Sequence, residues 1–400
     1  MSRSIFENLE LAPRDPILGI TEAFNADTRP GKVNLGVGVY TDEQGKLPLL
    51  QAVVQAEELR VAQHPARGYL PIDGIPGYNQ AAQTLLFGHD SAVLKEGRAA
   101  TFQALGGTGA LKIGADFLRK LEPRAQVWIS DPSWENHRAL FEQAGFTVNT
   151  YAYYDAATRG LNFAGMMGAL DALPARSIVV LHACCHNPTG VDLTQDQWMQ
   201  VVEVVKARDL IPFIDIAYQG FGDGIDADAA VVRLFATTDL DFFVSSSYSK
   251  SFSLYGERVG ALTIVAGNRD ESARVISQVK RTIRTNYSNP PTHGAAIVTT
   301  VLTTPALRDL WEQELAGMRE RIRAMRKGLV ERLKAKGVSA DMSFMMRQRG
   351  MFSYSGLNAA QVARLRTEFG VYAVDSGRIC VAALNEKNLD TVAGAIAAVL

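Results

Sequence analysis

The sequence predicts an α/β protein, with a large domain built on a mostly parallel sheet covered by helices and a smaller α+β domain beside it. Apolar runs at 127–130, 177–182, 211–215, 242–245 and 261–265 have the length and β-branched content of buried strands. Helix-period segments alternate with them, which puts helices on both faces of a parallel sheet. A chain of 400 residues also exceeds one ordinary hydrophobic core, so a satellite domain is expected.

Residues 1–14 read as an arm. Asp15 and Pro16 have the N-cap and first-turn chemistry of a short helix. The run Val33-Asn34-Leu35-Gly36-Val37-Gly38-Val39-Tyr40 alternates small and β-branched residues, and its glycines mark a backbone that something approaches closely. After Pro48 the pattern turns helical, then reaches a Gly/Pro-rich loop carrying Tyr69. An aromatic there serves binding or a subunit contact, or packs under the loop.

The segment Gly106-Gly107-Thr108-Gly109 opens directly into a helix-period run. Free amides at a helix start, unobstructed by side chains, can hold an anion, and Thr108 adds a donor. It matches neither a Walker A loop nor a dinucleotide fingerprint. Thr194 to Lys206 reads as a capped amphipathic helix. Residues 306–337 read as a long helix able to bridge two lobes, and the C-terminal part as a small α+β domain.

Charge and composition narrow the function. Lys and Arg number 41 against 42 Asp and Glu, a formal net charge of -1, which gives no bulk attraction for nucleic acid or an anionic membrane. No stretch is an uninterrupted apolar span of about 18 residues or more, and the N-terminus lacks a signal-peptide core. Three cysteines, two of them adjacent at Cys184 and Cys185, make no disulfide framework. A cytoplasmic protein acting on small molecules is expected. The run His182-Ala183-Cys184-Cys185-His186 has ligand residue types, but its spacing matches no structural zinc pattern, so no metal is expected.

Ligands bind at the carboxyl ends of parallel strands, and polar residues gather there. Trp134 follows one strand, Asn187 another, Asp215 and Tyr218 a third, Ser247 and Lys250 a fourth. A phosphorylated pyridine aldehyde would need an amine for a Schiff base, a carboxylate at the ring nitrogen, donors for the ring oxygen, and cations with amides for the phosphate. Lys250, Asp215, Asn187 with Tyr218, and Arg258 with Gly107, Thr108 and Ser247 can supply these parts. Alone, Lys250 also reads as a surface lysine in a serine-rich loop, and Arg284 and Arg378 as structural ion-pair residues.

The motifs Ser246-Ser247-Tyr248-Ser249-Lys250, Tyr255-Gly256-Glu257-Arg258-Val259-Gly260, His186-Asn187-Pro188-Thr189-Gly190, Asp215-Ile216-Ala217-Tyr218 and Ser376-Gly377-Arg378 closely resemble the aspartate/aromatic aminotransferases of fold type I. The resemblance spans essentially the whole chain. It implies a seven-stranded sheet, residues 15–44 and 316–400 in the small domain, and 45–315 in the large domain. It implies that Lys250 holds pyridoxal 5'-phosphate, Asp215 pairs with the pyridine nitrogen, and Asn187 and Tyr218 bind the ring oxygen. Gly107, Thr108, Ser247 and Arg258 match the phosphate cup, Trp134 the stacking aromatic, and His137 a partner orienting Asp215. Arg378 matches the α-carboxylate clamp beside Gly38. Tyr69 and Arg284 match residues that reach the site from a neighbouring subunit, Arg284 taking a distal carboxylate, which requires a homodimer.

Trp134-Glu135-Asn136-His137 and Ser251-Phe252-Ser253-Leu254-Tyr255-Gly256 are closer to the bacterial aromatic (tyrosine) aminotransferases than to aspartate-specific relatives. An aromatic transaminase that also takes aspartate is therefore expected, with an aspartate aminotransferase of minor aromatic activity as the alternative. A regulator on the same fold would need a basic DNA-binding extension that this sequence lacks. A decarboxylase is disfavoured because Arg378 would hold the departing carboxylate.

Overall fold

A computed structural model describes residues 4–12 and 18–400. The expected cap at Asp15 and Pro16 lies outside these residues; the helix they were expected to open is described from Leu18 to Ala26.

Seven strands form the central sheet: β1 (Ala99–Leu105), β2 (Val127–Asp131), β3 (Val148–Ala152), β4 (Ile178–His182), β5 (Ile211–Ile216), β6 (Phe242–Ser247) and β7 (Val259–Val265). Their order across the sheet is β1-β7-β6-β5-β4-β2-β3. Strand β7 is antiparallel to both β1 and β6, while the pairs β6/β5, β5/β4, β4/β2 and β2/β3 are parallel. Thus β1 through β6 all end at one rim, and β7 starts from it. Both faces are covered: the central strands β4, β5, β6 and β7 are buried along their whole length, their apolar runs facing the two helix layers and the polar residues of β4, β5 and β6 falling toward the rim.

Two of these strands, β1 and β3, were not anticipated from the residues. Ala99-Ala100-Thr101-Phe102-Gln103-Ala104-Leu105 mixes polar and small residues, so its apolar signal is weak. Gln103 and Thr101 are nevertheless buried, the latter by sharing a hydrogen bond of 2.8 Å with Thr263 on β7. Conversely, the 33–40 run is a strand only at Val33–Asn34, paired in parallel with Val371–Tyr372.

The helix Thr194 was expected to cap spans Gln195–Ala207, with a reciprocal capping box between Thr194 and Gln197. The long helix Pro305–Ala335 crosses the expected 315/316 boundary unbroken and buries Trp311, Leu315, Met318, Ile322 and Leu329. Trp311 Nε1 donates to the Ser251 carbonyl at 2.7 Å, and its ring stacks on Phe252 at 4.6 Å. This helix therefore pins the turn immediately after Lys250. Trp311→Phe keeps the stack but strands that carbonyl, and a stability loss of about 1–3 kcal/mol is expected in denaturant unfolding.

Candidate active site

The rim encloses a cavity of about 450 Å³. Lys250, Asp215, Tyr218, Asn187, Trp134, Gly107, Thr108, Ser247, Arg258, Arg378 and Gly38 all line it. His137 is buried directly behind Asp215. Tyr69 and Arg284 lie elsewhere, lining a second cleft together with Tyr287 and Pro291, and Tyr69 is 97% exposed.

One end of the cavity is cationic. The helix Gly106–Leu121 begins immediately after the last residue of β1, so its unpaired amides open onto the rim. Gly106 has φ +70°, and a Cβ there would sit 2.4 Å from Arg258 Nη2; only glycine lets this guanidinium approach the helix start. Arg258 comes from the opposite direction because it immediately precedes the antiparallel β7. It donates to the Tyr255 carbonyl at 2.9 Å and to Ser249 Oγ at 3.3 Å. Amides, a hydroxyl at Ser247 and a guanidinium around one point form a cradle for a dianion.

The other end is anionic. Asp215 is buried at the end of β5, and His137 Nε2 hydrogen-bonds its Oδ2 at 3.0 Å. His137 Nδ1 meets Ser133 Oγ at 2.9 Å, and Ser133 Oγ meets His182 Nε2 at 3.2 Å. Burial pushes the Asp215 carboxyl up, but the hydrogen bond and charge of His137, with the charge of Lys250, outweigh it and leave the group below its ordinary range. Its second oxygen, Oδ1, is buried without a partner. An ionised carboxylate oxygen left so needs a donor from a bound group.

Between the two ends stands Lys250, its Nζ 4.8 Å from the centre of the Tyr218 ring. Enclosure in the cavity lowers its amine to about 8; Asp215 opposes this shift and Arg258 adds to it. A substantial fraction of neutral, nucleophilic amine therefore exists near neutrality. Acylation of Lys250 in cofactor-free protein should rise with pH and reach half its maximum near pH 8; a midpoint near 10.5, the ordinary lysine value, would contradict this.

On the remaining side is Arg378, buried at the start of the short strand Arg378–Cys380. Its Nη2 donates to the Gly36 carbonyl at 2.7 Å and its Nη1 to Asn187 Oδ1 at 3.2 Å, and it lies 4.4 Å over the Phe352 ring. Its Nε is buried without a partner. A Cβ at Gly38 would approach Phe352 to 2.7 Å, so the glycine makes room for that ring. A guanidinium with a free donor and neutral neighbours is built to receive a carboxylate.

The geometry adds residues to which the motifs assigned no role: His182 and Tyr255, which stand in quoted motifs, and Ser133 and Phe352, which stand in none. Tyr255 Oη accepts the Tyr40 N–H at 3.0 Å and lines the cavity. Burial and His137 hold His182 neutral, at about 3, so it props Ser133 and His137 without titrating near neutrality. The position of His182 at the end of β4, level with Asp215 in the sheet register, is the signal that could have found it.

Each unmet polar feature matches a group of a phosphorylated pyridine aldehyde: a dianion cradle, an amine, and an orphaned carboxylate oxygen on the far side. Comparison with known proteins agrees. The family described as "Aminotransferase class I and II" matches residues 30–396. The aspartate aminotransferase of Pseudomonas aeruginosa is 68% identical over 99% of this chain and 100% of its own length. The aromatic-amino-acid aminotransferase of Escherichia coli is 52% identical with the same coverage. A crystal structure of the aromatic-amino-acid aminotransferase from Burkholderia pseudomallei, covalently bound to pyridoxal phosphate, superposes with a TM-score of 0.98 at 70% identity over the whole of both chains. With the cavity, its amine and its orphaned carboxylate oxygen in place, the chain belongs to the class I and II aminotransferases, as a pyridoxal-phosphate-dependent transaminase of fold type I.

Proposed function

We propose that this enzyme is an aromatic-amino-acid transaminase, moving the amino group of tyrosine or phenylalanine, and also of aspartate, to 2-oxoglutarate in a ping-pong cycle. Bound pyridoxal phosphate supplies the electron sink and the carrier of the amino group. In this reading Lys250 is the tether and the base that takes the proton from the substrate Cα. Asp215 keeps the pyridine nitrogen protonated, and His137 is a positioning residue that holds Asp215. Asn187 and Tyr218 bind the ring oxygen, Trp134 covers one face of the ring, and Gly107, Thr108, Ser247 and Arg258 hold the phosphate. Arg378 clamps the α-carboxylate, which keeps that group in place and leaves the Cα–H bond to break.

The observation that carries the substrate reading is where the second substrate-facing arginine sits. The cavity contains Arg378 but not Arg284; Arg284 shares a separate cleft with Tyr69, where it donates to Ser288 Oγ. A chain alone thus offers one carboxylate clamp next to apolar walls from Val37, Leu111 and Phe352. That combination suits a ring. A distal carboxylate is served only when a second subunit brings Arg284 and Tyr69 across, so we place the active sites in a homodimer that shares them. Arg284→Leu should cost aspartate about 1.5–3 kcal/mol in kcat/KM, the worth of a charge-assisted pair, and leave phenylalanine nearly unchanged. Equal losses would contradict the dual-substrate reading.

The alternative, an aspartate aminotransferase with minor aromatic activity, is favoured by the name of the Pseudomonas relative. Measuring kcat/KM for tyrosine, phenylalanine and aspartate with 2-oxoglutarate decides between them. An aspartate advantage of about tenfold, or ~1.4 kcal/mol, would establish the alternative. Among the described residues no helix is long and apolar enough to cross a membrane, and the three cysteines are free and buried; a cytoplasmic location accords with both. The division into a small domain at 15–44 and 316–400 and a large domain at 45–315 is likewise our reading.

A further inference from the structure

A separate cavity, of about 510 Å³, lies between the 221–223 loop, the long helix Pro305–Ala335 and the 346–350 segment. Five basic side chains line it, Arg323, Arg326, Lys327, Arg347 and Arg349, against one carboxylate, Asp223. Asp223 is shared by Arg323 at 2.9 Å and Arg349 at 2.7 Å. At the rim Glu320 meets Arg323 at 2.9 Å and Glu331 meets Lys327 at 3.8 Å. These acids leave two guanidiniums without any: Arg347 and Arg326 make no ion pair among the described residues.

Arg326 is the informative one. It is 3% exposed, and it donates only to neutral acceptors: Ser353 Oγ at 3.1 Å, the Gly350 carbonyl at 2.6 Å and the Phe352 carbonyl at 3.2 Å. Its Nη1 carries no hydrogen bond. The Asp192 carboxylate acts on Arg326 only through space, without an ion pair, and a buried cation left without a direct partner is costly unless an anion meets it. A second buried group in the same wall is also unmet, since Gln348 Oε1 has no partner although Gln348 Nε2 donates to the Tyr354 carbonyl at 3.1 Å. That oxygen needs a donor. An occupant must therefore present several anionic oxygens and one hydroxyl.

We propose that this cavity binds a phosphoryl group that carries or neighbours a hydroxyl, as hydrogen phosphate or a small phosphate monoester of a polyol. The site touches the chemistry through its floor. Arg326 holds the carbonyls of Gly350 and Phe352, and the Phe352 ring supports Arg378. The Arg349 N–H donates to the Gly190 carbonyl at 2.7 Å, three residues from Asn187. An anion drawing Arg326 and Arg349 toward itself shifts the seat of Arg378, so the expected kinetic effect is on KM for the amino donor.

The test is calorimetric titration of the holoenzyme with orthophosphate, glycerol phosphate and sulfate; in the holoenzyme the cradle around Arg258 is already taken. One phosphate per chain should bind with Kd of about 1 mM or tighter. It should outcompete sulfate, which has no proton to give Gln348, by roughly three- to tenfold. Binding of orthophosphate alone, or of the ester alone, supports the proposal and identifies the source of the phosphoryl group. The variant Lys327→Ala/Arg347→Ala changes only exposed side chains and should weaken binding at least about tenfold. No binding by the wild type, or unchanged binding by the variant, overturns the proposal. Phosphate should also shift KM in the wild type but not in the variant. That arm rests on the transaminase reading, whereas the binding arm does not, so the two can fail separately; an equal shift in both proteins would mean competition in the active site and overturn the coupling.

Discussion

Replacing Lys250 by alanine should lower kcat by at least about 10⁴-fold, the upper range for a positioned general base, while the protein folds and still takes up the cofactor without a covalent link. Among the described residues no other amine lines the cavity, so no second lysine stands ready to act as the base. The side chain is anchored by the turn that Trp311 pins and not by bonds of its own amine, so its removal should cost little stability. The shifted amine makes a further point. A lysine lowered to about 8 destabilises the cofactor-free fold wherever the folded chain must carry its buried charge; this penalty is complete below pH 8 and is relieved as pH rises from there to 10.5, because over that range the unfolded chain binds more protons than the folded one. A small added amine should restore part of the activity of Lys250→Ala. Activity within tenfold of the wild type would remove Lys250 from the chemistry.

Asp215→Asn should cost about 10²–10³-fold in kcat, the scale seen when one preorganised electrostatic partner is lost. The substitution is nearly isosteric and can still hydrogen-bond His137, so the change isolates the charge. Asp215 is ionised in a site where burial alone would favour its neutral form, and its free oxygen faces no protein donor. With asparagine there, the ring nitrogen loses the group that keeps its proton. The same variant should lower the thermal gain on adding cofactor, because a ligand stabilises by its affinity for the folded state. His137→Ala should do the same more mildly. A rate within a factor of three of wild type would show that Asp215 is a strand-end cap only.

Much of this site could be read in the sequence because its parts sit at strand ends in motifs with fixed spacing. Lys250 follows β6 by three residues and Asp215 lies within β5, so the strand runs themselves locate both. The strands β4 and β5 were legible for the same reason: Ile178-Val179-Val180-Leu181 and Ile211-Pro212-Phe213-Ile214 are apolar without interruption. Strand β1 was not, since its polar members are satisfied by the long-range partners Thr263 and Pro291, and a local pattern cannot register those. The Ser133–His182 prop was hidden likewise, joining residues 49 apart. The lone direction of β7, which brings Arg258 to the rim, is a property of the sheet as a whole. The basic cavity around Arg326 depends on three segments meeting and has no motif at all.

The most direct test of the account is borohydride reduction of the yellow holoenzyme, followed by proteolysis and mass spectrometry. The cofactor mass should be retained on the peptide containing Lys250, and prior incubation with tyrosine or aspartate should prevent that retention. A colourless protein, or label on any other lysine, would contradict the central claim that Lys250 is both tether and proton carrier.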